Sequence, residues 1–465
     1  MATTTVSIGS NQSIDTETPA GSSGGGPSYV ITFGTTPSGI SVGDIGFMDT
    51  EDAGGGSASD YTFLVTAISG ANITLKYLTD TGGKGDNSPL GLYTGGGSSG
   101  SPTQAPMVFK RAFSTITLFE AMVDDSSPSY WGSSDDVVGE CHADSAFTDS
   151  RVYFDNTQSL ASVKLTVNSD DRHDGTAGSG AVIRPTAGSG HNLGIIDVNI
   201  DNFIVEWLDF DLGSLDSANT NTAIRLAGTN DDNIVRNNLI HDKGGNPGSV
   251  GPFIISVTGA GASGDTLSIL NNIIYSIVET NNDSAAAVSV YLWAGTVNMY
   301  NNTVYNVVSN GSSKASWGFV YRNVSSSVVN LKNNISSGLT VTGTVATYAR
   351  AYQDFAAGGS TLNSDYNLSD DTTTGAAYKA TGANSLIDKS LAQIDFVSTV
   401  AGSEDLHLDT DSVCREAGVD LGTTNEVNID IDGVDRDATG VTWDMGADQA
   451  SVSDAGSPAF MMFLD

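Results

Sequence analysis

The sequence predicts an all-β protein whose central part is a solenoid, and three observations carry that prediction. First, an Asn-Asn pair followed by apolar residues recurs: Asn237-Asn-Leu-Ile-His241, Asn271-Asn-Ile-Ile-Tyr275, Asn301-Asn-Thr-Val-Tyr305 and Asn333-Asn-Ile-Ser336, at intervals of 34, 30 and 32 residues. Second, the 54 acidic residues divide into 45 Asp and nine Glu; Asp favours turns and caps, whereas Glu favours helix. Third, Gly is abundant (54 of 465) and only 16% of residues are charged, a strand-and-turn composition rather than a helical one. A repeat this short cannot bury its apolar side alone, so successive copies must stack into one continuous core, about eight coils by the repeat spacing.

Residues 1–28, rich in Ser, Thr and Gly, are expected to be a flexible arm that orders only against a neighbour. Residues 29–105 read as a small β domain with a Gly/Ser linker at its end. Tyr29–Phe33, Tyr61–Thr66 and Ile73–Tyr77 alternate apolar and polar residues between Gly-rich turns. In 113–124, Ile116, Phe119 and Met122 stand at helical spacing, and Thr117 and Glu120 in a capping-box relation. Placed just before the repeats, this helix is expected to cover the open end of the stack. The capping helix and solenoid together span 106–400, and a closing segment with an apolar tail spans 401–465.

The Asn pair has a physical reason. At a corner between two strands one Asn can point inward and donate to its equivalent in the next coil, forming a ladder of amides. Asn also tolerates the left-handed backbone that a tight corner requires. One step earlier, Ile204-Val-Glu-Trp-Leu-Asp-Phe210 matches Ile234-Val-Arg-Asn-Asn-Leu-Ile240 thirty residues later but lacks the pair.

These residues resemble the right-handed parallel β-helix superfamily of pectate-lyase-like enzymes and phage tailspikes and fibres, over about 113–400. The stretch Asp430-Ile-Asp-Gly-Val-Asp-Arg436 with Asp444-Met-Gly-Ala-Asp448 looks like a segment that closes bacterial and phage β-helix proteins. The domain order resembles virion-associated β-helix proteins of phages. The implied fold is a right-handed parallel β-helix with an N-terminal capping helix and a small N-terminal β domain. The implied role is a structural virion protein (capsid decoration, fibre or spike) at the virion surface, working with other virion proteins as a homo-oligomer, of which a trimer is one form.

Charge narrows the partners. A net charge of −35 repels nucleic acid and anionic membranes. No apolar run of about 18 residues occurs, so no spanning helix is expected. The first residues, Met1-Ala-Thr-Thr-Thr-Val-Ser-Ile8, do not read as a signal peptide, which fits synthesis in a host cytoplasm. Cys141 and Cys414, far apart, form neither a disulfide framework nor a zinc pattern.

Alternation assigns faces. If Asn238, Asn272 and Asn302 point inward, so do Ile240, Ile274 and Val304, and His241, Tyr275 and Tyr305 form an outward column with a rise of about 4.8 Å per coil. Such a column suits a host glycan, a subunit interface, or a stacking ladder that only stabilises the fold. Arg236, Leu270, Tyr300 and Lys332 also face outward. Asp209 and Asp211 share a face about 6.5–7 Å apart, the separation of an inverting glycosidase pair. A polysaccharide depolymerase, as hydrolase or lyase, is therefore the alternative function, and a glycan-binding adhesin the third. Asp430, Asp432 and Asp435 around Gly433 could ligate Ca²⁺, although no EF-hand pattern is present and an Asp-Gly turn accounts for them better. No other cofactor is implied. The apolar tail residues Phe460, Met461, Met462, Phe463 and Leu464 suit an assembly interface.

Overall fold

The structure, a computed structural model, describes residues 3–48, 61–80, 90–92, 107–124 and 135–450, apart from positions 12, 18, 26–27, 156–159, 187–192, 216–221, 230, 246–250, 260, 281–282, 292–293, 311–313, 323–326, 343–348, 356–359, 371–381 and 440–441. Three parallel sheets wind into a right-handed β-solenoid. The first sheet stacks nine strands, from Thr3–Ile8 through Asp136–Cys141 to Thr361–Asp365. The second stacks seven, from Val152–Phe154 to Ala349–Phe355, and the third eight, from Val182–Ile183 to Leu368–Ser369 with Thr340–Val341 beside the path. One coil runs Asn233–Arg236 in the first sheet, Leu239–His241 in the third and Phe253–Val257 in the second, then re-enters the first sheet at Thr266–Leu270.

The expected corner is present. Asn238, Asn272, Asn302 and Asn334 are fully or almost fully buried. The Nδ2 of each donates to the Oδ1 of the next, at 3.1, 3.0, 3.0 and 2.9 Å, the last step reaching Asn367. The backbone N–H of each donates to the same oxygen, and each Nδ2 also reaches a carbonyl of the preceding coil, such as Val235 O from Asn272. The first Asn of each pair takes the left-handed conformation, with φ of 52° at Asn237 to 58° at Asn333. Trp207 and Tyr366 fill that position in the flanking coils, which is why the sequence pattern fades there. Inward Ile240, Ile274 and Val304 lie in the main core, as alternation predicts.

Thr3–Ile8 differs from the flexible arm expected over 1–28. It pairs in parallel with Asp136–Cys141, and Val6 and Ile8 enter the core. An unpaired edge strand exposes a row of N–H and C=O groups, and the β-branched run Thr3-Thr-Thr-Val6 is well suited to cover it. The following residues from Asp15 already belong to the antiparallel N-terminal sheet, which also takes Met107–Lys110. Its core is Ile31, Phe33, Phe63, Val65, Ile73, Leu75 and Phe109. Arg111 ties it to the solenoid, bonding Asp44 on one side (3.0 Å) and Asp144 on the other (3.0 Å).

The helix spans Ile116–Asp124 and lays Ile116, Phe119, Met122 and Val123 into the core. Phe119 packs where Gly139 leaves room; a Cβ there would sit 2.7 Å from the ring. The cap is Thr115, whose hydroxyl accepts from Leu118 N. The expected Thr117–Glu120 box is not formed, because Thr117 lies inside the first turn and its hydroxyl donates to Asp149.

Candidate functional site

After the last coil the chain turns back. The short helix Leu391–Ile394 and the hairpin Phe396–Val400/Ser403–Leu408, which straddles the boundary expected at residue 400, lead into a loop-rich segment reaching residue 450. This segment lies along the Asn corner and covers the adjoining edges of the first and third sheets. The outer Asn of each pair holds it: Asn237 Nδ2 donates to Asp430 O at 2.5 Å, Asn271 to Ile429 O at 2.7 Å, Asn301 to Val427 O at 3.0 Å and Asn333 to Val419 O at 2.8 Å. One member of the pair therefore builds the solenoid and the other docks its cover. Apolar contacts complete the seam. Leu239, Ile273, Ile335 and Leu368 meet Phe396, Leu406, Ile431 and Met445, while Ile234 and Leu270 meet Val427 and Trp443.

That cover changes the outward column. His241, Tyr275 and Tyr305 are in register, and His241 stacks on Tyr275 with centroids 5.3 Å apart. His241 is only 3% exposed and Tyr275 2%; Tyr305 packs edge-on against Phe396. The open column expected from alternation is thus a covered one. Alternation specifies which way a side chain points, but not what a segment a hundred residues later places on it. Arg236 and Leu270 also point outward and are also buried; Arg236 pairs with Glu206 at 2.6 Å and with Glu426 at 2.8 Å.

Asp209 and Asp211 flank the inward Phe210, as expected of one face. Asp209 is fully buried, its Oδ1 2.8 Å from His241 Nε2 and its Oδ2 accepting from Gly178 N. Asp211 bonds Arg184 at 2.7 Å and Gly213 N. His241 Nδ1 lies 2.9 Å from Asp242. A carboxylate so enclosed has no approach for a sugar and no free oxygen to act as base.

The Asp-rich closing motif is a polar knot. Asp430 is fully buried and accepts from Asp432 N, Val434 N and Gln449 N. Asp435 accepts from Asn428 Nδ2 and Asp437 N, and Asp432 points to His407. The three expected calcium candidates thus diverge: the oxygens of Asp430 and Asp435 cap backbone turns, and Asp432 faces His407. At the centre Arg436, fully buried, donates to Gly446 O (2.9 Å), Ala447 O (2.8 Å) and Asp448 O (3.2 Å).

An open groove of about 750 Å³ remains on the outer surface, lined by Arg172, Asp174, Trp207, Asp405, His407 and Asp432 among others. Arg172 lies over the Trp207 ring at 4.4 Å. His407 Nδ1 is 2.5 Å from Asp405 Oδ1, and its Nε2 is 3.1 Å from Asp432 Oδ1. Gly175, at φ 80°, lets the opposite loop pass over the His407 ring; a Cβ there would lie 2.6 Å from it. Sequence reasoning missed His407. Asp405 stands two residues before it on the same strand, where alternation puts both on one face, but Asp432 is 25 residues on and no spacing rule links it. Phe460, Met461, Met462, Phe463 and Leu464 lie outside the described residues.

Several groups take up protons more readily here than in an unfolded chain. Burial raises Asp430 and Asp448 to about 6, and burial with the neighbouring Asp124 raises Glu120 to about 8. Burial pulls His241 and His407 down, but their carboxylate partners outweigh it and lift them to about 9 and about 10. A group whose pKa is raised on folding contributes stability below its unfolded value and loses it as pH rises through the folded value. The carboxylates act from their ordinary 3.8 to 4.5 up to about 8, and the histidines from 6.5 up to about 10. Lowered groups, such as Glu206 and Asp211, act only in acid. The thermal midpoint is therefore expected to peak near about pH 5 and to fall steadily toward about pH 10. A melting series in which it rises between those limits would contradict this.

No protein-family model matches the chain, and no curated protein matches it. Among solved structures, it is similar at a low level to the crystal structure of the Pseudomonas phage phi297 tailspike gp61. Identity is 13%, the match covers 78% of this chain and 65% of that one, and the TM-score is 0.18.

Proposed function

We propose that the chain is a non-catalytic structural protein of a bacteriophage virion, a spike, fibre or capsid-decoration component that self-associates. The observation that carries the non-catalytic part is the fate of the expected site. Asp209 is enclosed by His241 and Gly178, and the aromatic column is roofed by the protein's own closing segment. Repeating backbone and Asn ladders make a rigid rod, suited to bearing load at an exposed surface. The virion placement rests on the domain order and closing motif that resemble those of phage β-helix proteins, and the acidic exterior argues against nucleic acid as a partner.

The test is the mass in solution by light scattering, with and without residues 459–465. A discrete homo-oligomer, such as a trimer, that dissociates on removal of the tail is expected. A monomer at every concentration would overturn self-association. The second reading, a polysaccharide depolymerase, is favoured by the open groove, which brings Asp174, Asp405, His407 and Asp432 to one wall system. A screen of surface polysaccharides decides between them. No cleavage is expected, whereas cleavage abolished by Asp174→Asn or Asp432→Asn would replace the structural reading.

A further inference from the structure

The groove contains a constellation that the structural reading does not use. We propose that His407, Asp432 and Asp448 bind a divalent transition-metal ion of the zinc or manganese class, with Asp405 orienting the imidazole.

One ligand atom from each of the three residues lies within 4.8 Å of the other two. His407 Nε2 and Asp432 Oδ1 are already 3.1 Å apart. Ligands held at about 2.1 Å around one tetrahedral ion stand about 3.4 Å from each other, so small side-chain adjustments close the set. The second ring nitrogen is equally telling. His407 Nδ1 faces Asp405 Oδ1 at 2.5 Å. A metal-bound imidazole is commonly held this way, its far N–H donated to a carboxylate that fixes ring orientation and raises basicity.

Asp448 supplies an independent observation. The residue is 3% exposed, and its Oδ2 accepts from Leu408 N at 2.8 Å. Its carboxylate also faces the His407 imidazole and Asp432, which places a third donor beside the other two. Asp405 and Asp432 flank the one imidazole, and Asp448 is shared with Arg436, a set to which a divalent cation adds favourable charge.

The groove provides the entry path, and three protein ligands leave a coordination position toward its solvent. Imidazole nitrogen among the donors selects against Ca²⁺ and Mg²⁺, which take oxygen. The superficially similar group Asp211, His241 and Asp242 does not qualify. His241 is only 3% exposed, its face is stacked under Tyr275, and it does not line the groove.

The full-length protein, stripped with a chelator and desalted, is titrated with ZnCl2, MnCl2 and CaCl2 by calorimetry at neutral pH, with elemental analysis of the retained metal. One zinc or manganese ion per chain is expected, bound more tightly than calcium. His407→Gln should abolish the stoichiometric site, Asp432→Asn should weaken it, and Asp405→Asn should weaken it about 10–100-fold. Asp211→Asn should leave it unchanged. Circular dichroism monitors folding; if His407→Gln does not fold, Asp432→Asn, whose side chain is 35% exposed, decides. No stoichiometric uptake, tighter binding of calcium, or undiminished binding in the folded variants overturns the site.

Discussion

Replacing Arg436 by Met should unfold the interior of the closing segment and so loosen its hold on the solenoid, at a cost of about 3–5 kcal/mol. The guanidinium is fully buried and donates to the carbonyls of Gly446, Ala447 and Asp448, with Asp444 O at 3.5 Å and the Gln449 side chain at 3.4 Å. It is also the cation facing Asp430, Asp448 and Asp444. Met preserves much of the volume but leaves the carbonyls without donors and three carboxylates without a counter-charge. Removing one side of a buried polar arrangement costs more than the arrangement contributes net, since the abandoned groups stay desolvated. The Asn237, Asn271, Asn301 and Asn333 clamps make one or two hydrogen bonds each to the segment's backbone and do not replace the donors at its centre. Hydrogen exchange reads the effect directly. Amides of Ile431, Met445 and Gly446, all hydrogen-bonded in the closed form, should lose protection, while those of the Asn ladder keep theirs. Lys at this position should rescue only partly, because one ammonium cannot reach a fan of carbonyls that the planar guanidinium spans. Unchanged exchange in Arg436→Met would mean that the apolar seam alone holds the cover.

The second large effect separates the two halves of the Asn pair. Asn302→Ala should cost about 2–4 kcal/mol, the sum of an orphaned buried donor and a small cavity. Asn302 Oδ1 accepts from both the backbone and the side chain of Asn272. Its Nδ2 donates to Asn334 Oδ1, Ile269 O and Tyr300 O. Alanine leaves the buried Asn272 N–H without an acceptor in a place water does not reach. Asn301→Ala removes one bond to Val427 O and places a Cβ residue without a polar side chain at φ 56°, for about 1–2 kcal/mol. Asn301→Gly should be milder still, because glycine accepts that backbone freely. Thermal midpoints of the three variants, ranked with Asn302→Ala lowest, check the assignment. Equal losses for Asn301→Ala and Asn302→Ala would show that the inward ladder has no special weight.

This difference between neighbouring residues marks how far the sequence could be read. The Asn237–Asn238 and Asn271–Asn272 copies announced a corner, an inward amide and a left-handed residue, because all three follow from local chemistry repeated at a coil's length. The fifth ladder member, Asn367, was not visible, since Tyr366 stands where an Asn would have completed the pair. Thr3–Ile8 was misread for a related reason. A short β-branched run looks like an arm until the edge strand it pairs with, 133 residues later in register, is in view.

By itself, then, the sequence determined the periodic part: an all-β stack, its inward and outward faces, its amide ladder, and a helix lying on an apolar face. Periodicity and alternation are local properties, and burial enforces them at every coil. Only the tertiary structure decided what the outward faces do. A closing segment of irregular backbone has no period to read, yet it returns along the corner, buries His241 and Tyr275, encloses the edge beside Asp209, and carries His407 to Asp432 and Asp448. Those meetings depend on where a non-repeating chain docks, and docking is set by shape and polar complementarity across long sequence distances rather than by any spacing within the chain.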